Sequence, residues 1–533
     1  MLSLISLPVD ILIIVLEPLD FDDLTALSLS CRLLHSVVTE YGWTNYLRDH
    51  PRPSWSLSRA RNRHWSPHAR VYYDVMADRG WAGSAASSKF IARPLSRIWP
   101  GKLQPVLAIN NTRLVVGAGS NLYSYIFGAS PHPGVSPPVQ YEGTISLLPR
   151  FGSTATPVRP RNITAISFVA DGGLDATLHV AFQDGAIERV QLINSDDALT
   201  ATRSSLPPMP NGDFVESISS ASDIVLSLSS AGHARLSPIS SSSSILASSS
   251  SSEDLITPYS SSSIDLKARS WASTLSLRAS TPYAAFGTAS TTPLNVHTIH
   301  QDGQLSALPT AVLHTKHAGA VAAASLDIAQ DKLPSSAVYG LAQGPPDSPW
   351  GASPDVLVSG WYDGAVRCYD LRAAAHADSS VSSSAGRTPV HTPVLTLQDR
   401  WSLEPIYSVA CGGGSGAHIA AGTARHSVVS FWDVRYCNTE SGYSNKHGGW
   451  SVYAPGNDPS PVYAVVLESS RFFGVTQSRP FVYDFGPGVS LDTYPPIPQG
   501  RGVDNLKQKK GASRATYHVL RREHNSSAVC SEH

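Results

Sequence analysis

Several residue clusters in this sequence are of types that perform chemistry, but none forms a complete catalytic or metal site. His64 and His68 lie four residues apart, a spacing that suits zinc, yet the proline between them disfavours a regular helix and no other ligand is near. Gly117-Ala118-Gly119 lacks the third glycine and the helix of a dinucleotide site. The glycine run at 412–416 does not form the nucleophile motif GxSxG. We therefore predict a protein that is not an enzyme and has no cofactor and no metal, with a hydrolase as the competing class.

The residues that could bind a partner lie in or near turns between β-prone segments. Side chains of Trp, Tyr and Arg supply much of the binding energy of protein interfaces. Residues at these turns are Trp361, Tyr362, Arg425, His426 and Arg479, and Arg367 follows shortly after the first turn. Arg425 and Arg479, joined by Arg367, could bind an anionic or phosphorylated segment.

These turns belong to a repeated β-hairpin. Between residues 354 and 372, the segments VLVSGW and AVRCYD flank the turn Tyr-Asp-Gly, which is a strong hairpin signal. Similar hairpins occur at 178–192 and 418–435, and weaker ones begin at 114, 224, 283 and 472. Short alternating strands precede most of them, at 163, 271, 320, 405 and 461. A single hairpin cannot bury its apolar face, so the seven units must pack together.

The repeated unit resembles the WD-repeat family, in which a blade ends with a Trp-Asp pair after such a hairpin. The pair occurs at Trp432-Asp433, and Tyr369-Asp370 holds the same place in the hairpin at 354–372. The resemblance covers residues 101–486 and implies a mainly β fold, a seven-bladed WD-repeat β-propeller. A β-sandwich is the alternative, but it does not explain why PIYSVA and PVYAVV stand at matching offsets before matching hairpins.

Residues outside the repeats are expected to complete or extend the ring. A strand at 89–97 should complete the last sheet and so remove an exposed edge. Stretches rich in Ser, Pro, Gly or Ala at 128–160, 237–265, 331–354 and 373–392 are predicted to be mobile loop insertions.

Residues 7–50 have a helical pattern, unlike everything after residue 100. Leu7-Pro8 suits a helix start, and Asp20 to Asp23 place carboxylates at a second one. The stretch from Leu7 to Val38 resembles the F-box, with its Leu-Pro start, paired aliphatics and Cys-Arg-x-Leu close. In that family an aliphatic face binds the Skp adaptor of a cullin-RING ubiquitin ligase. The resemblance implicates Leu7, Pro8, Ile11, Leu12, Leu16, Leu19, Leu24, Leu27 and Leu29. The alternative is that these residues only pack the helices against the propeller.

Residues 51–100 are predicted to form a basic helical linker that ends in the closing strand. Residues 52–97 contain nine Lys or Arg and two acids, whereas residues 1–50 contain seven acids and two arginines. We expect the linker to pack beside the acidic F-box and to set its angle to the propeller. Nucleic-acid binding is the alternative, but arginines interleaved with aromatics are commoner in packed helical linkers.

Composition restricts the compartment and the partners. Charged residues make up 15% of the chain and the formal net charge is −1, so no overall field recruits nucleic acid or a membrane. The five scattered cysteines fit a reducing compartment. No apolar stretch reaches the ~18 residues of a membrane span. We expect a soluble protein of the cytoplasm, the nucleus or both, and we predict a disordered basic tail at 487–533.

The order of F-box, linker and propeller resembles the F-box/WD-repeat substrate receptors. The resemblance implies the substrate-recognition subunit of an SCF (Skp-cullin-F-box) ubiquitin ligase, which holds a protein target for ubiquitination and proteasomal degradation. Substrates of such rings meet the face that carries the hairpin turns. The candidate substrate-binding residues are therefore Trp361, Tyr362, Arg367, Arg425, His426 and Arg479. The alternative is a scaffold that assembles protein complexes without ubiquitin transfer.

Overall fold

The chain folds into a helical N-terminal module followed by a ring of β-sheets. The computed structural model describes residues 4–52, 65–82, 90–148, 161–195, 198–238, 261–315, 335–373, 388–399, 401–437, 449–455, 458–497 and 522–523.

The described residues of the N-terminal part contain five α-helices. They are α1 (Val9–Leu16), α2 (Phe21–Ser30), α3 (Arg32–Val37), α4 (Trp43–Asp49) and α5 (Pro67–Ala82). Pro8 directly precedes α1, and Asp20 caps α2 by accepting a hydrogen bond from the backbone N–H of Asp23 at 2.9 Å. Both helix starts are those predicted from the sequence.

Helices α1 to α5 share one small apolar core. Its fully buried members are Leu12, Leu16, Phe21, Leu24, Leu34, Val37, Val38, Trp43 and Val71. Val71 belongs to α5, so the core of this module is complete only when the linker helix packs onto it. The ring of Trp43 lies 5.8 Å from that of Phe21, between centroids.

After these helices, the described residues form thirty strands. They are β1 (Ile91–Pro94), β2 (Val106–Ile109), β3 (Arg113–Ala118), β4 (Asn121–Phe127), β5 (Val139–Ser146), β6 (Ile163–Phe168), β7 (Thr177–Phe182), β8 (Ile187–Ser195), β9 (Ala198–Leu206), β10 (Val215–Ala221), β11 (Ile224–Ser229), β12 (His233–Pro238), β13 (Ser262–Asp265), β14 (Arg269–Ser276), β15 (Tyr283–Ser290), β16 (Leu294–Thr298), β17 (Ala311–Leu313), β18 (Ser336–Gln343), β19 (Val356–Trp361), β20 (Ala365–Asp370), β21 (Val390–His391), β22 (Leu395–Gln398), β23 (Ile406–Gly412), β24 (His418–Thr423), β25 (Val428–Asp433), β26 (Gly449–Tyr453), β27 (Val462–Glu468), β28 (Arg471–Thr476), β29 (Pro480–Asp484) and β30 (Arg522–Glu523).

The strands form a β-propeller, but not one of seven separate blades. Five separate sheets hold four or five strands each: β2–β5, β6–β9, β10–β13, β23–β26 with β30, and β27–β29 with β1. The remaining strands, β14 to β22, join in one nine-stranded sheet. The predicted count of seven separate blades is therefore wrong, since the described strands give five blades and one larger sheet.

Two contacts hold the nine-stranded sheet together. Within it, β14–β17 form one antiparallel group and β18, β19, β20 and β22 form another. Ala289 and Ser290 of β15 pair with Ala337 and Ser336 of β18, and β17 pairs with β21 in parallel. The two residue pairs between β15 and β18 are enough to merge two strand groups that the hairpin pattern of the sequence predicts to be separate blades.

The ring closes through the first strand of the chain. Residues Ile91 to Pro94 of β1 pair antiparallel with Asp484 to Phe481 of β29. The strand predicted at 89–97 therefore has the partner expected for it. The innermost strands β2, β6, β10, β14, β18, β23 and β27 contact one another in this order, and β27 contacts β2.

Some strands lie in stretches that were predicted to be loops. Strands β5, β13, β18 and β21 fall within the predicted insertions 128–160, 237–265, 331–354 and 373–392. Strand β5 is mostly exposed, because an outer edge strand needs only one backbone partner and no apolar pattern. The strand predicted near 320 and most of the serine-rich tract lie outside the described residues.

The predicted disordered tail begins with ordered residues. Tyr494 is buried and its hydroxyl donates to Asp484 Oδ2 at 2.5 Å, while Pro495 O accepts from Arg93 at 2.9 Å. Residues 498–521 and 524–533 of the predicted tail lie outside the described residues.

Candidate partner-binding sites

The F-box helices expose a set of large aliphatic side chains. We call them the outer face, which consists of Leu4, Ile5, Val9, Ile11, Ile14, Leu29 and Leu33. Ile14 is 59% exposed and Leu29 is 80% exposed. Burying one such side chain against a partner stabilises a complex by roughly 1.5–3 kcal/mol. Exposed aliphatics in this number on one small module make it a candidate docking surface.

The structure divides the predicted adaptor-binding residues into three sets. Pro8, Ile11 and Leu29 are exposed, and Leu7, Leu19 and Leu27 are half-buried. Leu12, Leu16 and Leu24 lie in the core, so their assignment to the docking face is wrong.

Helical spacing explains this division. Leu12 and Leu16 are four residues apart and share the inner side of α1, whereas Ile11 and Ile14 are three apart and share the outer side. Because α1 is apolar on both sides, the sequence does not reveal which side packs inward. Ile14 belongs to the outer face and was missed, although its helical spacing from Ile11 was a usable signal. Leu33 of α3 also belongs to the outer face.

Helix α5 attaches the F-box module to the propeller. Its Tyr73 hydroxyl contacts Ser470 Oγ at 2.5 Å and Ser136 Oγ at 3.2 Å. Trp81 is fully buried, donates from Nε1 to Ser469 O at 3.1 Å, and stacks on Phe485 with ring centroids 4.0 Å apart. Val71 of the same helix belongs to the helical core, so one helix packs on both modules.

The glycine run that we rejected as a catalytic motif receives this helix. Gly413 lies in the turn between β23 and β24 with φ of +75°, and a Cβ there would lie 2.9 Å from Cζ2 of Trp81. Only glycine tolerates both the left-handed backbone and this close approach.

Ion pairs hold α5 against the other N-terminal residues. Arg52 donates to Asp78 Oδ1 at 2.9 Å and lies 3.4 Å from Asp74 Oδ2, and both acids belong to α5. Arg79 of α5 pairs with Asp22 of α2. The expected attraction between the basic linker and the acidic helices is therefore present at Arg79 and Asp22.

Two of the predicted substrate-binding residues lie in the propeller core. Trp361 is fully buried, and its indole N–H donates to Ser359 Oγ at 2.8 Å. Arg367 lies over the Trp361 ring at 4.9 Å and donates to both carboxylate oxygens of Asp363. The prediction is wrong for Trp361 and Arg367, because both side chains fix the hairpin turn from within.

The other predicted substrate-binding residues lie at the surface. Tyr362 is 58% exposed, Arg425 and His426 are exposed, and Arg479 is half-buried. His426 contacts Glu404, whose Oε2 also accepts the backbone N–H of Arg425 at 2.8 Å. Burial alone would raise the pKa of Glu404, but the hydrogen bonds from His426 and the backbone lower it.

A feature that the sequence predictions missed lies at the centre of the ring. Six innermost strands shift register close to their start, and each shift leaves one residue without a direct partner. These residues are Thr164, Glu216, Trp271, Tyr339, Tyr407 and Tyr463. A β-bulge re-aims such a side chain. All six line one cavity of about 640 Å³, which we call the mouth.

The mouth has a continuous aromatic wall. Ring centroids lie 5.0 Å apart for Trp271 and Tyr339, 5.1 Å for Tyr339 and Tyr407, and 6.2 Å for Tyr407 and Tyr463. Tyrosine at the second position of β23 and β27 was visible in PIYSVA and PVYAVV. The matching offset of these aromatics was the signal that could have identified the wall.

Next to this wall is an ion pair. Arg269 donates to Glu216 Oε2 at 3.0 Å and lies over the Trp271 ring at 4.2 Å. Burial raises the pKa of Glu216 to about 7, and Arg269 only partly opposes this. Gln183 and Gly119, from the turns of two hairpins, line the same cavity, so the mouth opens on the face that carries the hairpin turns.

The described residues give no support for a metal site. No group of three or more His, Cys, Asp or Glu in this part of the chain is placed to hold a metal ion. His68 of the predicted zinc pair packs against Trp43 with ring centroids 4.8 Å apart, and His64 lies outside the described residues.

Comparison with known proteins supports the assignment of the helical module. Residues 4–42 match the family model of the F-box domain. This stretch is an F-box domain. Such domains generally bind Skp adaptors, and an F-box joined to a propeller is typical of non-catalytic adaptor proteins.

The propeller has a distant structural neighbour. The crystal structure of Chaetomium thermophilum Sqt1 bound to the N-terminus of the ribosomal protein L10 is similar at a TM-score of 0.42 and 12% identity, over 70% of this chain and 81% of that one. The propeller assignment rests on the pairing of the described strands. A search of curated proteins gives no match. None of the described helices is long and apolar enough to cross a membrane.

Proposed function

We propose that this chain is the substrate-recognition subunit of an SCF ubiquitin ligase. The outer face of its F-box binds the Skp adaptor, and through it the cullin-RING ligase. The propeller binds a protein target for ubiquitination and proteasomal degradation. The observation that carries the proposal is the exposed aliphatic outer face on an F-box domain that one buried helix attaches to a propeller.

Each part of the outer face suits a purely apolar contact. Leu29 lies on α2, and Ile11 and Ile14 lie on α1, so two helices present aliphatic side chains to one partner. The inner leucines Leu12 and Leu24 are already buried, so adaptor binding does not compete with the folding of the module.

Helix α5 gives the proposed receptor its geometry. Its 16 residues span about 24 Å, and Trp81 and Val71 anchor it in both modules. A rigid link holds the bound target at a fixed position relative to the recruited ubiquitin-conjugating enzyme. The resulting effective concentration accelerates transfer without any chemistry by this chain.

The target meets the propeller on the face that carries the hairpin turns. We propose Tyr362, Arg425, His426 and Arg479 as contacts there, since they reach or border that surface. The segment from Gly422 to Arg435 resembles dactylin among the F-box/WD-repeat receptors, and we propose a relation to that receptor. Such a receptor works in the cytoplasm, the nucleus or both.

Adaptor and cullin binding test the proposal. The purified chain is mixed with a Skp adaptor and a cullin-RING complex, and capture of both is measured for wild type and for the double variant Ile14→Glu/Leu29→Glu. Two buried carboxylates on an apolar contact should weaken adaptor capture at least hundredfold, because an unpaired charge is costly to desolvate. Leu308→Glu, a change at a 77% exposed propeller residue, is the matched control and should bind as wild type.

Two results would contradict the proposal. Equal adaptor capture by the double variant and by Leu308→Glu would show that the outer face is not the docking surface. Capture of the adaptor without cullin would favour the scaffold that assembles complexes without ubiquitin transfer.

A further inference from the structure

We propose that the mouth binds an uncharged, proline-containing peptide segment in an extended conformation. This deepens the proposed function and rests on it, because it names the class of target that the propeller receives. Three features of the mouth support this ligand: the aromatic wall, the unpaired hydrogen-bond donor and the balance of charge around the cavity.

The aromatic wall suits proline rings. Trp271, Tyr339, Tyr407 and Tyr463 form a connected set of rings on one side of the mouth. Proline-rich segments dock into aromatic-lined grooves, and they lose little conformational entropy because the polyproline II helix is already formed. The cavity of about 640 Å³ lies within the range of ligand sites.

A ligand in the mouth must offer a hydrogen-bond acceptor to its buried, unpaired polar groups. Trp271 Nε1 and Thr164 Oγ1 are buried and have no hydrogen-bond partner among the described residues. An indole N–H can only donate. A polyproline II segment leaves its carbonyl groups free to accept, and proline brings no N–H of its own that would need a partner.

The charges of the mouth are already balanced. Among the described lining residues, only Lys102, Glu216 and Arg269 carry charge. Arg269 pairs with Glu216 and covers the face of the Trp271 ring. The guanidinium of the protein therefore occupies the position over this ring that a ligand cation would take. Lys102 alone offers little to a strongly acidic segment. An uncharged ligand fits this arrangement best.

Peptide binding to the full chain in complex with the Skp adaptor tests the proposal. Four fluorescent ten-residue peptides are compared by anisotropy: an uncharged one rich in proline, the same peptide with alanine at each proline, an acidic one and a basic one. The proline-rich peptide should bind at least tenfold tighter than the other three. Tyr407→Ala should weaken its binding about tenfold, as loss of an aromatic hot spot does.

Two further variants separate specific effects from loss of structure. Trp271→Phe keeps a ring under Arg269 but removes the indole donor, and should weaken binding about three- to tenfold, the value of one hydrogen bond. Tyr436→Ala is the matched control, because Tyr436 is 68% exposed and follows β25 at the end opposite to the hairpin turn. It should bind as wild type.

The proposal is overturned if none of the peptides binds, if the acidic or the basic peptide binds tightest, or if Tyr407→Ala and Tyr436→Ala behave alike. Adaptor capture is measured in the same samples. Intact capture with failed peptide binding would refute the ligand class alone, whereas lost capture in the wild type would refute the proposed function.

Discussion

The outer face of the F-box and the mouth of the propeller are both open surfaces, but they consist of different side chains. The outer face is aliphatic, and side chains such as Ile14 and Leu29 have no hydrogen-bonding groups. The mouth combines aromatic rings with the Trp271 donor and the Glu216–Arg269 pair. Apolar burial alone suits a surface that meets one constant partner, whereas directional donors select among ligands of similar size.

The largest effect should come from the helix that joins the two regions. Trp81→Ala removes a fully buried ring from α5, and should lower the free energy of unfolding by about 3–5 kcal/mol, as for other large-to-small core changes. Denaturant unfolding measures this. Ile98→Ala, at a 57% exposed residue, should change it by less than about 0.5 kcal/mol.

The same variant tests whether the outer face and the mouth depend on the helix that joins them. With Trp81→Ala, adaptor capture and peptide binding should persist while ubiquitin transfer falls, because each surface stays intact but their relative position is no longer fixed. If a folded Trp81→Ala variant lost both adaptor capture and peptide binding, the two surfaces would not be independent.

The inner and outer sides of α1 should respond in opposite ways. Leu12→Ala should cost about 2–5 kcal/mol of unfolding free energy, since Leu12 is 2% exposed and its removal leaves a cavity. Ile14→Ala should leave stability within about 0.5 kcal/mol but weaken adaptor binding. Thermal unfolding and adaptor titration of both variants measure this, and equal loss of stability would refute the division of α1 into two sides.

The mouth should respond to pH through Glu216. Its pKa is raised by burial from 4.5 to about 7, so its protonated form is favoured by folding. The stability that this contributes is fully present below pH 4.5 and is lost as pH rises through 7. Between pH 4.5 and 8, wild type should lose about 2–3 kcal/mol of unfolding free energy relative to Glu216→Gln. Parallel pH profiles of the two proteins would contradict this, and Asp223→Asn, at an exposed carboxyl, is the control.

Local sequence signals were enough to predict most hairpins. The Asp-Gly turn at residues 363–364 and the alternating strands around it gave β19 and β20, and the same reasoning gave β24 and β25. The closing strand β1 was predictable because no strand after β29 offered an equally good partner. Each of these depends on residues close in sequence or on a general rule for closing a sheet.

Features that depend on distant contacts were not predictable in this way. The nine-stranded sheet results from β15 meeting β18 at Ala289 and Ala337, which carry no pairing signal of their own. The burial of Leu24 depends on a core completed by Val71 of α5. Bulges at Trp271 and Tyr407 aim these rings into the mouth, and a bulge is a property of two paired strands rather than of one segment.

Hydrogen exchange of the full chain with and without a Skp adaptor tests the central claim most directly. If the outer face is the docking surface, the adaptor should slow amide exchange in Val9–Leu16 and in the C-terminal half of Phe21–Ser30, while the strands around the mouth stay unchanged. Protection confined to the propeller, or binding without protection of these helices, would contradict it.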